Sequence, residues 1–299
     1  MRTHSKGRAL VALLIAALAV LALSASAQAK LTGAFTRFAQ CPYTNTEVKK
    51  CLYSVTESGE VVLGSKKVPI VNPVTLQGGL GAFNEETEFS KMFAATNGIT
   101  LSKTPQPVPG GLAGIVNCKE IKDFFLRLSC EITFENGVTG LNSTLELARP
   151  VSEVLVSEFA IAGEEGVGLR MPIKIHLENP FLGSSCYVGS SSSPIIWNLT
   201  TGETSPPPPN TPISGAGGEG TFLEGGRIIE LKNNKLVDNA WAAPGVNGCG
   251  GFLVELLLNP IINSASGLPA AAGRNTAILK GTVSTTSSLA VKKNDEANP

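Results

Sequence analysis

Histidine and aspartate are scarce in this chain, and their scarcity excludes more chemistry than any motif suggests. Only His4 and His176 occur. His4 lies in an N-terminal stretch that reads as removable, so His176 is the one imidazole left, and metal centres needing two or three histidines are excluded. A catalytic base also needs a nucleophile within reach and an orienting acid, and no pattern around His176 supplies them. It sits in Ile173-Lys174-Ile175-His176-Leu177-Glu178, where apolar and polar residues alternate, so it is expected on the polar face of a strand, solvated beside Glu178. Aspartate occurs only at Asp123, Asp238 and Asp295. No calcium-binding EF-hand loop can be written from that set, and an aspartic-protease dyad is not expected. Gly-x-Ser-x-Gly, Ser-x-x-Lys and Cys-x-x-Cys are all absent. No cofactor is implied.

Charge is sparse too, at 16% of residues, while Gly (32) and Pro (19) are plentiful, which suits a turn-rich β protein better than a helical bundle. The only long apolar run is Ala9 to Leu23. It follows Arg2, Lys6 and Arg8 and leads into Ala27-Gln28-Ala29, the pattern of an export signal of residues 1–29, cleaved before Lys30. At under about 18 residues it is too short to span a bilayer, and no membrane span is expected after its removal. Three of the 24 basic residues leave with it, so 21 face 24 acidic ones. That balance argues against nucleic acid or another polyanion as a partner. Localisation is expected to be secreted or on the outer side of the cell envelope.

An exported chain meets oxidising conditions, so Cys41, Cys51, Cys118, Cys130, Cys186 and Cys249 are expected to form disulfides. Sequence alone does not choose among the pairings. Short loops close most readily, which favours Cys41–Cys51, Cys118–Cys130 and Cys186–Cys249, worth roughly 3 kcal/mol for each short loop and about 4 for the long one.

Period-two alternation dominates the mature chain. Leu128 to Leu147 reads as a hairpin turning at Asn136-Gly137, with Leu128, Cys130, Ile132 and Phe134 on the same face as Leu141, Ser143, Leu145 and Leu147. Weaker hairpins are expected at Leu52–Leu63, turning at Ser58-Gly59, and at Arg227–Val237, turning near Asn233-Asn234. Further strands are expected at Val68–Gln77, Glu153–Ala162, Val167–Leu177, Ile195–Leu199 and Ala277–Ser284. Helix is minor: Gly251–Leu258, halted before Pro260, and Lys119–Leu126. The fold class is therefore all-β, an antiparallel sandwich or barrel with one or two short helices, spanning residues 30–290. A division into two units near residues 104–114 stays open, because prolines and glycines cluster there. Ser205 to Gly220, a polyproline run followed by glycines, reads as an exposed loop, stiff and then flexible. Residues 291–299 read as a frayed polar tail.

Few residues carry a functional signal. Gly215-x-Gly217-x-x-Gly220 mimics a dinucleotide motif, but a polyproline run precedes it where a strand is required, so it reads as loop glycine. Glu164-Glu165 reads as a Gly-flanked turn, and Glu85-Glu86 with Glu88 as a solvated acidic patch or the first turn of a short helix. A glycosidase could be built from glutamates alone, yet nothing selects a pair. Asn142 and Asn198 fit the glycan acceptor pattern. Trp197 and Trp241 both lie between Cys186 and Cys249; they read as core or as a ligand platform, Trp241 being the better candidate for binding.

Pro172 to Gly189, together with Leu236-Val237-Asp238-Asn239 and Pro244-Gly245-Val246-Asn247-Gly248-Cys249-Gly250, resembles a group of uncharacterised secreted proteins of actinobacteria over Glu153 to Val283. The resemblance implies no catalytic residue and supports Cys186–Cys249 as a structural pair. Three functions follow as expectations. The first is a non-catalytic binding or structural protein of the cell exterior. The second is a carrier of an apolar small molecule or lipid in a β-enclosed cavity. The third is an extracellular hydrolase using glutamate carboxylates.

Overall fold

Alternation along the chain produces two long strands, β1 (Lys50–Leu63) and β14 (Thr276–Ser287), that pair antiparallel along their whole length. They lie within a 14-stranded antiparallel sheet. On one side of the pair the sheet continues through β12 (Ile228–Asp238) to β11 (Glu219–Leu223). On the other it runs through β3 (Val74–Asn84), β4 (Phe89–Phe93), β7 (Leu155–Val156), β8 (Leu169–Glu178) and β6 (Asn142–Leu147) to β5 (Gln106–Pro107). Attached to this path are β2 (Lys66–Ile70), β9 (Tyr187–Val188), β10 (Ile195–Leu199) and β13 (Val246–Asn247). The all-β antiparallel class read from sequence holds. This is a computed structural model, and it describes residues 30–112, 140–163, 165–251 and 254–298, with Lys122, Phe124 and Arg127. The predicted Cys118–Cys130 pair and the Asn136-Gly137 turn lie outside the described residues, as does the Lys119–Leu126 helix apart from Lys122 and Phe124.

The two faces of β1 bury different things. Leu52, Val61 and Leu63 point into the main core, where they meet β3, β8 and β10 residues such as Leu80, Ile173 and Trp197. Cys51 and Tyr53 point the other way, into a smaller cluster roofed by the 3₁₀ turn Gly33–Phe38 through Phe35 and Phe38. Burying each such aromatic stabilises the fold by about 1.5–3 kcal/mol. Arg37 of the same turn pairs with Glu230 of β12 and donates to the Ser284 hydroxyl.

Several local expectations are corrected. Ser58-Gly59 and Asn233-Asn234 do not reverse the chain: β1 and β12 run straight through, with register shifts at Thr56/Ser58 and Leu231/Asn234. A positive φ serves a bulge as well as a turn. Asn233 has φ 58°, and a Cβ on Gly59 would lie 2.0 Å from the Ile278 carbonyl oxygen. The reversal comes later, at Gly64-Ser65, where Leu63 pairs with Lys66. Val68–Gln77 is broken at Asn72-Pro73 into β2 and β3. Glu153–Ala162 is only briefly strand; Ser157 caps helix α1 (Glu158–Gly163), its hydroxyl accepting from the Ala160 amide at 3.3 Å. Helix α2 (Glu255–Ser266) starts later than expected and passes through Pro260, held by buried Leu258 and Ile262. The expected tail is instead helix α3 (Ser288–Glu296), capped by Ser287 and anchored by fully buried Val291.

The proline loop is mostly exposed, as expected. Its glycines, however, are clamped rather than flexible: Ala216 bridges to Lys235, and a Cβ on Gly215 would lie 2.5 Å from the Lys235 carbonyl oxygen. Asn210 donates to the carbonyls of Asn239 and Asn275, fastening the loop to the ends of β12 and β14. Strands from both sides of residues 104–114 join the one sheet, and Gln106–Pro107 itself pairs with β6. Among the described residues no helix is long and apolar enough to cross a membrane.

Candidate functional site

The end of β12 delivers Asp238 into the molecule, where polar residues gather around it in a cleft. Thr200, just past β10, bridges to Val237, which brings the 200–205 loop against the end of β12. A cleft of about 460 Å³ results, lined by Glu165, Asn198, Thr200, Glu203, Thr204 and Asp238. That volume falls in the range of small-molecule sites, roughly 300–1,000 Å³. Asp238 is 3% exposed. Its carboxylate accepts from the Asn198 amide at 2.7 Å and the Ala240 amide at 2.9 Å. Burial pushes its pKa above the ordinary aspartate value, although both amide hydrogen bonds pull it down. Thr200 and Thr204 spend their hydroxyls on the loop itself, accepting from the amides of Gly202 and Ile213. The loop is thereby pre-shaped.

Lysine, arginine and histidine are missing from the described lining, so three carboxylates set the sign of the field inside it. Among the described residues no cluster of three or more His, Cys, Asp or Glu is arranged to hold a metal. In the sequence Asp238 stood out as one of three aspartates and as part of the Leu236-Val237-Asp238-Asn239 stretch, neither of which marks it as a site residue. No local pattern tied it to residues 165 and 198–205, because long-range strand pairing brings them together.

Neither tryptophan serves as an exposed platform. Trp197 is fully buried on β10 and Trp241 is 4% exposed. They meet edge to face, 6.0 Å between ring centres, and the Trp241 indole donates to the Asp238 carbonyl at 3.2 Å. Their binding role is thus corrected to core packing, with Trp241 bracing the strand end that carries Asp238. His176 is on the polar side of β8 beside Glu178 as expected, but half-buried rather than fully solvated. Its ring stacks on Tyr187 at 4.5 Å, with Glu178 3.5 Å from Nδ1, while Nε2 is buried without a partner among the described residues. Lys174 caps the stack, its Nζ 3.9 Å from the Tyr187 ring centre.

Two of the three expected disulfides lie in the described region, Cys41–Cys51 and Cys186–Cys249. The first fastens the segment after the 3₁₀ turn to β1. The second joins the chain at the paired strands β9 and β13.

Two apolar spaces are found among the described residues. A slot between the sheet's layers, lined by Leu63, Val68, Leu145, Leu177, Val246 and Leu268, has a volume of about 50 Å³. A groove of about 200 Å³ lies beside α1, between Leu52, Phe159, Ile229, Leu231 and Val283. Both fall below the roughly 300 Å³ of a small-molecule pocket. Glu85 and Glu86 are exposed in the turn between β3 and β4, where the Asn84 side chain accepts from the amides of Glu86 and Thr87. No family model matches the chain, and neither the curated proteins nor the solved structures include a significant match.

Proposed function

We propose that this chain is an exported, non-catalytic binding protein of the cell exterior, and that its ligand site is the cleft closed by Asp238. The observation that carries this reading is the cleft's size together with its chemistry. A space of about 460 Å³ lined by carboxylates, hydroxyls and one amide, without a basic side chain, suits a small ligand bearing an ammonium or guanidinium group. The export pattern before Lys30, the disulfides and the resemblance to secreted actinobacterial proteins support the compartment. Calorimetric titration of the mature protein with putrescine, arginine amide and glucose tests it. The two cations are expected to bind, more weakly at high salt and after Glu203→Gln, and glucose is not. If neither cation binds at millimolar concentration, the reading fails.

One observation favours a hydrolase as the second reading. Asp238 is a carboxyl with a raised pKa in the same cleft as Glu165 and Glu203, and glycoside hydrolysis uses two carboxyls, one of them as the acid. Turnover of nitrophenyl glycosides by the wild type, abolished by Asp238→Asn, would establish it. Absence of turnover across such a panel removes it. The carrier has less support, since neither apolar space reaches the size of a lipid or a typical small ligand.

A further inference from the structure

The segment that begins at Lys30 is fastened to the C-terminal helix by a row of polar contacts. The Lys30 backbone nitrogen donates to Asp295 Oδ1 at 2.9 Å, and the Thr32 nitrogen donates to Asn294 Oδ1 at the same distance. Leu31 between them is 8% exposed and shares a cluster with Phe35, Phe38 and Val291. The other Asp295 oxygen accepts from the Tyr43 hydroxyl at 3.0 Å.

Asp295 is badly placed on electrostatic grounds. It sits in the last turn of α3, where the free carbonyls of the helix concentrate partial negative charge, so a carboxylate there is disfavoured without a cation. Among the described residues no lysine, arginine or histidine side chain pairs with it. Lys292, on the same helix, pairs with Glu296 instead. Tyr43 brings a hydroxyl but no charge, and its own pKa is pushed up to about 12 by burial and then by the bond to Asp295. The missing positive charge has an evident source. Lys30 directly follows Ala27-Gln28-Ala29, the small-residue ending that an export peptidase accepts.

We infer that hydrolysis of the Ala29–Lys30 bond creates the cation that Asp295 lacks, making proteolytic processing the step that completes this corner of the fold. Water adds across the amide. The carboxylate leaves with Ala29, and the freed amine of Lys30 takes up a proton to become an ammonium group beside Asp295. One neutral N–H donor becomes a charged group with three. The ion pair then holds the 3₁₀ turn and α3 together over the smaller core. The inference rests on the export part of the proposed function and is independent of the cleft.

Two measurements test it separately. The full chain, expressed with its own leader in an exporting host, should yield a secreted product whose intact mass begins at Lys30. A different start overturns the processing site and the ion pair with it, whereas a chain kept inside the cell with its leader intact overturns the export reading. On the product beginning at Lys30, ¹³C-dimethylation of the amine allows its titration by NMR. Its pKa should lie about one unit above the ordinary α-amine value near 8, and Asp295→Asn should bring it back. A chain retaining Ala27-Gln28-Ala29 should melt about 2–4 °C lower than the processed one near neutral pH, a difference absent in the Asp295→Asn background. That melting comparison remains available if the amine resonance of the variant cannot be assigned. An amine with an ordinary pKa, unchanged by Asp295→Asn, or equal melting of processed and extended chains, refutes the ion pair while leaving export intact.

Discussion

Replacing Asp238 tests both the architecture of the cleft and the electrostatics assigned to it. Its carboxylate satisfies the backbone amides of Asn198 and Ala240 in a site that is 3% exposed. Asp238→Ala leaves both donors without a partner, at about 1–3 kcal/mol each, so a loss of about 2–6 kcal/mol is expected. Asp238→Asn keeps one accepting oxygen and should cost about half as much. The pH dependence carries the sharper test. Because burial raises the folded-state pKa, the folded chain binds this proton more tightly than the unfolded chain does. As pH falls through the raised value toward the ordinary 3.8, Asp238 therefore adds stability, and the gain is complete once the unfolded residue also protonates. Above the raised value that contribution is absent. The Asp238→Asn variant has no titrating group there, so the stability difference between wild type and variant should widen on acidification from about pH 7 to about pH 4. Urea unfolding of both proteins across that range measures it, and the carboxyls they share cancel in the difference. A difference that is flat or shrinks toward acid refutes the assignment, as does an Asp238→Ala cost below about 1 kcal/mol.

Glu230 should behave in the opposite sense. Burial acts to raise its pKa, but hydrogen bonds and charge from Arg37 and Lys232 outweigh that and hold it below the ordinary value, so its stabilisation is present near neutrality and lost as pH falls through the folded value. Glu230→Gln should cost about 2 kcal/mol at pH 7 and much less in acid, read by the same unfolding experiment. The tryptophan assignment predicts that both indoles emit as buried fluorophores and resist acrylamide quenching. Trp197→Phe, which sacrifices no indole hydrogen bond among the described residues, should cost less than Trp241→Phe, which loses the bond to the Asp238 carbonyl; equal costs, or strong quenching of either residue, contradict the packing described. Removing Cys186–Cys249, which closes a separation of 63 residues, should destabilise by about 4 kcal/mol, against about 3 for Cys41–Cys51 with its separation of 10. Denaturant midpoints of the paired alanine variants rank the two, and the reverse order would count against a loop-closure origin.

The alternating pattern found strands where neighbouring residues were sufficient information. Ile195–Leu199 matches β10, and the expected Val167–Leu177 and Ala277–Ser284 fall within about two or three residues of β8 and β14. Errors arose where one local signal serves two geometries. Ser58-Gly59 and Asn233-Asn234 permit a positive φ, which a bulge uses as readily as a turn, and only the continuous partner strand β14 settled which it was. In Glu153–Ala162 the Ser157 cap was a legible helix signal that the strand reading passed over.

From its residues alone this chain determined an all-β class, through period-two burial and abundant turn formers, while the ease of closing nearby loops favoured Cys41–Cys51 and Cys186–Cys249 without deciding between the pairings. Tertiary structure decided the rest. Whether an indole is ligand platform or core, and whether an aspartate is solvated or held dry by two amides, depends on what distant strands place around it. The cleft gathers residues 165–167, 198–205 and 238–240, and the Lys30–Asp295 contact spans 265 positions. Periodicity reports a residue's own face. It does not report which other face it will meet.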